Sequence, residues 1–194
     1  MELDNLTNLT VLNLENNFSI NRVKNLDKLL NLKNLNLENT FLKKIEGLDK
    51  LEKLEVLNLN RCNLFKISNL DKCSNLHTLF LNSNCLENID QLKNITTLKK
   101  IDLSFNQINS LDSLSNLYNL TSINADYNHI TNIRLLQKLK KLDSLSVSNN
   151  KIRDIDFSSK SLVNLDISNN QLTSFNLNLF SNLKNLNLDD NNIC

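Results

Sequence analysis

The sequence predicts an α/β solenoid: short parallel strands line a concave side, and 3₁₀ or helical returns cover the convex side. Three observations predict it. Leucine-anchored segments recur at a nearly constant spacing, an asparagine recurs in phase with them, and the usual turn formers are almost absent. The 194 residues contain one Gly (Gly47) and no Pro, while Asn, with 39 copies, makes up about a fifth of the chain. Asn tolerates the left-handed backbone that Gly would otherwise supply, and its amide bonds backbone groups locally.

Units begin at Leu9, Leu32, Leu54, Leu76, Leu98, Leu120, Leu142, Leu162 and Leu183, with spacings of 23, 22, 22, 22, 22, 22, 20 and 21 residues. A fixed period of this length marks stacked units, none of which can close a core alone. The frame is visible in "LNLENNFS" (12–19), "IDLSFNQI" (101–108) and "LDISNNQL" (165–172). With the anchoring Leu as position 1, apolar residues fall at 4 and 6 and again at 11, 14, 17 and often 20. Positions 4 and 6 alternate as a short strand requires. The later positions step by three, as a tight helical return requires.

Position 9 follows the strand and holds Asn17, Asn84, Asn106, Asn128, Asn150, Asn170 and Asn191, with Thr40 and Cys62 in the second and third units. There the chain leaves the sheet, and a buried amide satisfies backbone groups that lose their partners, bonding from unit to unit as a ladder. Thr40 is a weaker substitute and implies a looser turn. An interior Asn17 would have no room for a glycan, although it begins one of several sequons.

The pattern LxxLxLxxNxIxxIxxLxxL resembles the leucine-rich repeat family over residues 3–194. The uniform 22-residue form with Ile at positions 11 and 14 is similar to the subclass typified by the nuclear regulatory subunit of protein phosphatase 1. The resemblance implies a leucine-rich repeat horseshoe and a single domain over residues 1–194. It also implies a partner protein held on the concave face, a phosphatase catalytic subunit in the best-known case. The first and last units are partial, and neither end carries a polar cap, so we expect a segment of a longer chain or ends covered by a partner.

Bulk properties narrow the function. A net charge of +1 gives no gross steering of polyanions, and no run of 18 apolar residues is present for membrane insertion. The N-terminus lacks a basic region followed by an apolar one, so it does not read as a signal peptide. Cys62, Cys73, Cys85 and Cys194 have no metal spacing. Cys62 and Cys73 take core slots, and Cys85 and Cys194 read as free thiols, which favours a reducing compartment. An intracellular location, cytoplasmic or nuclear, follows; it becomes extracellular if a longer chain carries a signal peptide. His77 and His129 have no ligand-spaced partners, no Gly-rich phosphate loop exists, and the trio His77, Asp102 and Ser104 is what a surface rich in these types gives by chance. No enzyme, metal, cofactor or small-molecule substrate is expected.

Recognition belongs on the outward strand positions 5 and 7. They hold six acids (Glu15, Glu38, Asp102, Asp126, Asp166 and Asp189) and no Lys or Arg, which leaves +7 on the rest of the chain. Such a stripe repels phosphate backbones, so nucleic acid is not expected there, and it attracts a protein with a basic surface patch. Phe80 stands at position 5, where every other unit has Asn, Asp or Ser. Aromatics amid polar rims anchor interfaces. Phe105 and Tyr127 hold position 8 of adjacent units, about 5 Å apart at strand spacing, either as exposed anchors or packed over the strand edge.

The sequence therefore reads as a non-catalytic protein-interaction scaffold or regulatory subunit. Its candidate partner-binding residues are Phe80, Asn82, Asp102, Ser104, Phe105, Asn124, Asp126 and Tyr127. Phe80→Ala with Asp126→Lys is expected to abolish partner capture with little change in melting temperature. Two alternatives stay open: an extracellular recognition module of receptor or adhesin type, and a component of an RNA–protein particle that uses the basic flank.

Overall fold

A computed structural model describes Leu3 and residues 5–23, 26–42 and 44–194. Nine three-residue strands form one parallel sheet in chain order: β1 (Val11–Asn13), β2 (Asn34–Asn36), β3 (Val56–Asn58), β4 (Thr78–Phe80), β5 (Lys100–Asp102), β6 (Ser122–Asn124), β7 (Ser144–Ser146), β8 (Asn164–Asp166) and β9 (Asn185–Asn187). Each covers positions 3 to 5 of its unit. The middle residue is buried from β1 to β8, and the flanking two face outward, as period-2 geometry requires. Register is one to one, so Phe80 lies between Asn58 and Asp102.

The return positions 11, 14, 17 and 20 are buried in one continuous core, for example Leu42, Ile45, Leu48 and Leu51. The step of three is served by 3₁₀ turns at Leu26–Lys28, Asp90–Asn94, Asp112–Leu114, Arg134–Lys138 and Leu177–Leu179. The second and third units reach the same end differently, with left-handed residues at position 16, Gly47 (φ 73°) and Asn69 (φ 60°). Gly bears that φ without a Cβ clash, and Asn69 Nδ2 donates to the Ile45 carbonyl at 2.6 Å. In the shortened units near the C-terminal end, rings fill leucine slots. Phe157 meets Phe180 edge-on at 5.5 Å, and Phe175 stacks on Phe180. Larger side chains restore the packing that missing residues would leave open.

The position-9 ladder forms as the spacing predicts. Asn106 Nδ2 donates to the carbonyls of Leu103 and Leu81 at 3.0 Å and Ser104 at 3.1 Å, and its Oδ1 accepts the Leu86 N–H at 3.0 Å. Asn84, Asn128, Asn150 and Asn170 repeat this arrangement while buried, and half-buried Asn191 repeats it at the end. Two expectations need correcting. Asn17 is exposed, so burial does not exclude a glycan there; among the described residues its Nδ2 donates to the Leu14 and Glu15 carbonyls. Thr40 does not loosen its turn: it is buried, and its Oγ1 donates to the Leu37 carbonyl at 2.8 Å.

The left-handed residue of each turn is position 8, one before the ladder. All nine have φ between 52° and 61°: Asn16, Asn39, Arg61, Ser83, Phe105, Tyr127, Asn149, Asn169 and Asp190. Five are Asn or Asp, the non-glycine types that bear this conformation best.

Candidate recognition surface

A second ladder runs along the concave face. Where the strand ends, the position-7 N–H loses its sheet partner, and in all nine units a side-chain oxygen takes it. Seven units use their own position-5 Asn or Asp in a tight local turn, as Asn13 does for Glu15 at 3.0 Å and Asp102 for Ser104 at 2.9 Å. This explains the wealth of Asn and Asp at position 5 without invoking a ligand.

Phe80 and Ser146 are the two exceptions at position 5, and in both the preceding unit supplies the oxygen. Asn60 Oδ1 accepts the Asn82 N–H at 2.8 Å, and Asp126 Oδ1 accepts the Ser148 N–H at 2.7 Å. Phe80 is therefore a position released from backbone duty. It faces outward and is half-buried.

The sequence-predicted residues do not all remain available. Ser104 was expected on the outward surface but is only 2% exposed, because its Oγ donates to Asp102 Oδ1 at 2.6 Å and accepts from Asn82 Nδ2. Alternation gives a side chain's direction, and neighbouring side chains then cover it. Asp126 Oδ1 also accepts the Ser146 hydroxyl at 2.7 Å, so this acid holds the sheet edge together and is not a spare charge. Asp166 Oδ1 accepts from the Ser168 hydroxyl, and Asn187 Nδ2 reaches its second oxygen at 3.3 Å. The second oxygens of Asp102 and Asp126 have no protein partner among the described residues. Asn82 and Asn124 are half-buried beside them. Lys100, exposed at position 3 of the fifth unit, bounds the acidic stripe on one side, which positions 5 and 7 alone do not reveal.

Phe105 and Tyr127 are exposed and not covered over the strand edge. They are 50% and 48% exposed and stack on each other, with centroids 4.2 Å apart and planes 11° from parallel. Both are left-handed, φ 54° and 53°. A bulky side chain in that region is strained by roughly 1–2 kcal/mol, and the stack returns about 0.5–1.5 kcal/mol. Strain held at exposed residues is a pointer to function.

The hydrolase trio does not assemble. His77 Nδ1 lies 3.0 Å from Thr78 Oγ1, and its Nε2 faces Glu55 at 3.8 Å. Glu55 in turn pairs with Lys33 at 2.9 Å, and the Lys33 hydrogen bond holds its exposed carboxyl below the usual range. Among the described residues no cluster of His, Cys, Asp and Glu has the geometry to hold a metal.

Comparison with known proteins agrees with the geometry. A family model described as leucine rich repeats (2 copies) matches residues 118–159. Internalin C2 of Listeria monocytogenes is 31% identical with a TM-score of 0.70, over 78% of this chain and 66% of that one. A leucine-rich repeat protein of Leptospira interrogans is 27% identical with a TM-score of 0.80, over 85% of this chain and 45% of its own. The functional domain of InlJ from Listeria monocytogenes, which includes a cysteine ladder, is 30% identical with a TM-score of 0.82, over 96% of this chain and 40% of its own. This chain thus spans about two thirds of the first and under half of the other two. In it, Cys62 occupies one rung, with its Sγ 3.1 Å from the Leu37 carbonyl. No curated protein matches the sequence. By period, by rung geometry and by likeness to solved structures, the chain is a leucine-rich repeat protein.

Proposed function

We propose that the protein is a non-catalytic recognition module that holds a protein partner across its fourth to sixth units. The observation that carries this is a run of three aromatic departures in consecutive units. Phe80 replaces a capping Asn or Asp, and Phe105 and Tyr127 replace the Asn or Asp best suited to a left-handed turn. Local structure favours none of the three, and rule-breaking positions in an otherwise consistent chain are where function is expected. The unpartnered oxygens of Asp102 and Asp126 lie within the same units, which suits a partner presenting Arg or Lys, whose cations pair with carboxylates and stack on aromatic rings.

The test compares the wild-type chain with Phe80→Asn and with the double variant Phe105→Asn/Tyr127→Asn, each immobilised and exposed to native lysate. Wild type retains a stoichiometric partner with a basic surface patch that both variants lose. Equal retention by all three proteins overturns the proposal.

A phosphatase-regulating role rests on repeat type alone, and no residue motif in this chain specifies it. The likeness to two internalins favours the second reading, a recognition module of receptor or adhesin type. Occupied sequons at Asn5, Asn8, Asn17, Asn94 or Asn119 in the native protein would select that reading over an intracellular one.

A further inference from the structure

We propose that the outer flank of the first three units is a second docking surface, of opposite polarity, for a protein segment carrying a carboxylate beside an aromatic or aliphatic side chain. Positions 8 to 13 of these units contain no Asp or Glu, but they place Lys44, Arg61 and Lys66 beside Phe18, Phe41 and Phe65. The three rings are 58%, 51% and 71% exposed. The flank is thus basic and aromatic, whereas the concave stripe is acidic.

Its focus is a depression of about 370 Å³ walled by Phe18, Phe41, Arg61, Asn63 and Ser83. Arg61 holds the left-handed position 8 with φ 54°, where five of the nine units place Asn or Asp. It is exposed, and no carboxylate lies within salt-bridge distance of it among the described residues. The acids of the neighbouring strands are already engaged, Glu15 by Asn36 at 3.1 Å and Glu38 by Asn58 at 2.8 Å. An unneutralised guanidinium that shares a depression with two phenyl rings matches a planar carboxylate with an apolar neighbour. The volume admits one or two side chains, which suits a peptide segment. The exposed rings beside the guanidinium favour an apolar neighbour to the anion, which a phosphate backbone does not offer.

The surface is independent of the concave site, and its test leaves that site intact. A random-peptide display library is panned on the wild-type chain and on Arg61→Asn, a change that restores the residue preferred at that turn. A peptide from the enriched set is then titrated by fluorescence anisotropy. The expected result is enrichment on wild type of peptides with Asp or Glu next to an aromatic or aliphatic residue. Their Kd weakens roughly tenfold or more in Arg61→Asn, as loss of a charge-assisted bond requires, and also weakens in Phe41→Ser. It is unchanged in Phe105→Asn/Tyr127→Asn, and the melting temperature of Arg61→Asn does not fall. Absence of an acidic consensus, or equal affinity in Arg61→Asn, overturns the proposal. So does Arg61-dependent binding of polyuridylate or phosphatidylserine vesicles in the absence of any acidic peptide.

Discussion

Asn60 gives its side-chain oxygen to the backbone N–H of Asn82, one unit away, because Phe80 has no oxygen to offer it. The two residues are therefore coupled. Asn60→Ala should destabilise the wild-type chain by about 1–3 kcal/mol, the cost of an unsatisfied, desolvated N–H. In the Phe80→Asn background the same change should be nearly neutral, since the new side chain caps its own turn. A urea double-mutant cycle reads the coupling, and additive effects would show that the cap is not shared.

Replacing Phe105 and Tyr127 together with Asn removes strain and stacking at once. Strain is relieved at two residues while one stack is lost, so the melting temperature should stay level or rise. Partner capture should nevertheless be lost. A clear fall in melting temperature would mean that the rings serve the fold.

Asp126 must be tested with a substitution that keeps its oxygen. Asp126→Asn retains an acceptor for Ser148 and Ser146 while removing the charge, so stability should hold and affinity for a basic partner should drop. Asp126→Lys leaves the Ser148 N–H unpaired at a buried residue and should destabilise by about 1–3 kcal/mol. The Phe80→Ala/Asp126→Lys variant should therefore melt lower than the wild-type chain, not at the nearly unchanged temperature the sequence predicts.

The rungs differ in value with their place in the stack. Asn106→Ala leaves the buried Leu86 N–H without a partner, while the carbonyls of Leu81 and Leu103 keep Asn84 and Asn128, and should cost about 1–3 kcal/mol in chemical denaturation. Asn17→Ala removes an exposed rung whose backbone partners can turn to water, and should cost under about 1 kcal/mol.

Thiol chemistry separates the four cysteines, all of which are free. Burial pushes the Cys73 thiol from the ordinary 9.0 up to about 11 and raises Cys62 as well. A buried thiol gives little thiolate, so at pH 8 iodoacetamide should label Cys85 and Cys194 first and reach Cys62 and Cys73 only on unfolding. The unfolded chain loses these protons at lower pH than the folded one. Stability should therefore fall as pH rises from about 9 toward 11. Equal labelling of all four thiols in the folded chain would contradict this placement.

The strands, the return and the position-9 ladder were legible in the sequence because a solenoid writes neighbour contacts as a period. The second ladder left a signal too, Asn or Asp at position 5 in seven units, but it read as surface polarity until each side chain was seen accepting a position-7 N–H. The cover over Ser104 depends on how Asp102 and Asn82 fold across it, which alternation does not encode. Nor does spacing reveal that position 8 is the left-handed residue. Without that, the exposure of Phe105 and Tyr127 is invisible.

The shared cap also constrains how this surface could have been altered. An aromatic at Phe80 is tolerable only once Asn60 stands ready, whereas Asn60 is harmless while an Asn or Asp still caps the turn. The supporting change must come first and the exposed one second; the reverse order passes through a less stable chain. Asp126 and Ser146 obey the same precedence. A position-5 residue other than Asn or Asp is thus licensed by the unit before it, and variation along this face of the solenoid has a direction.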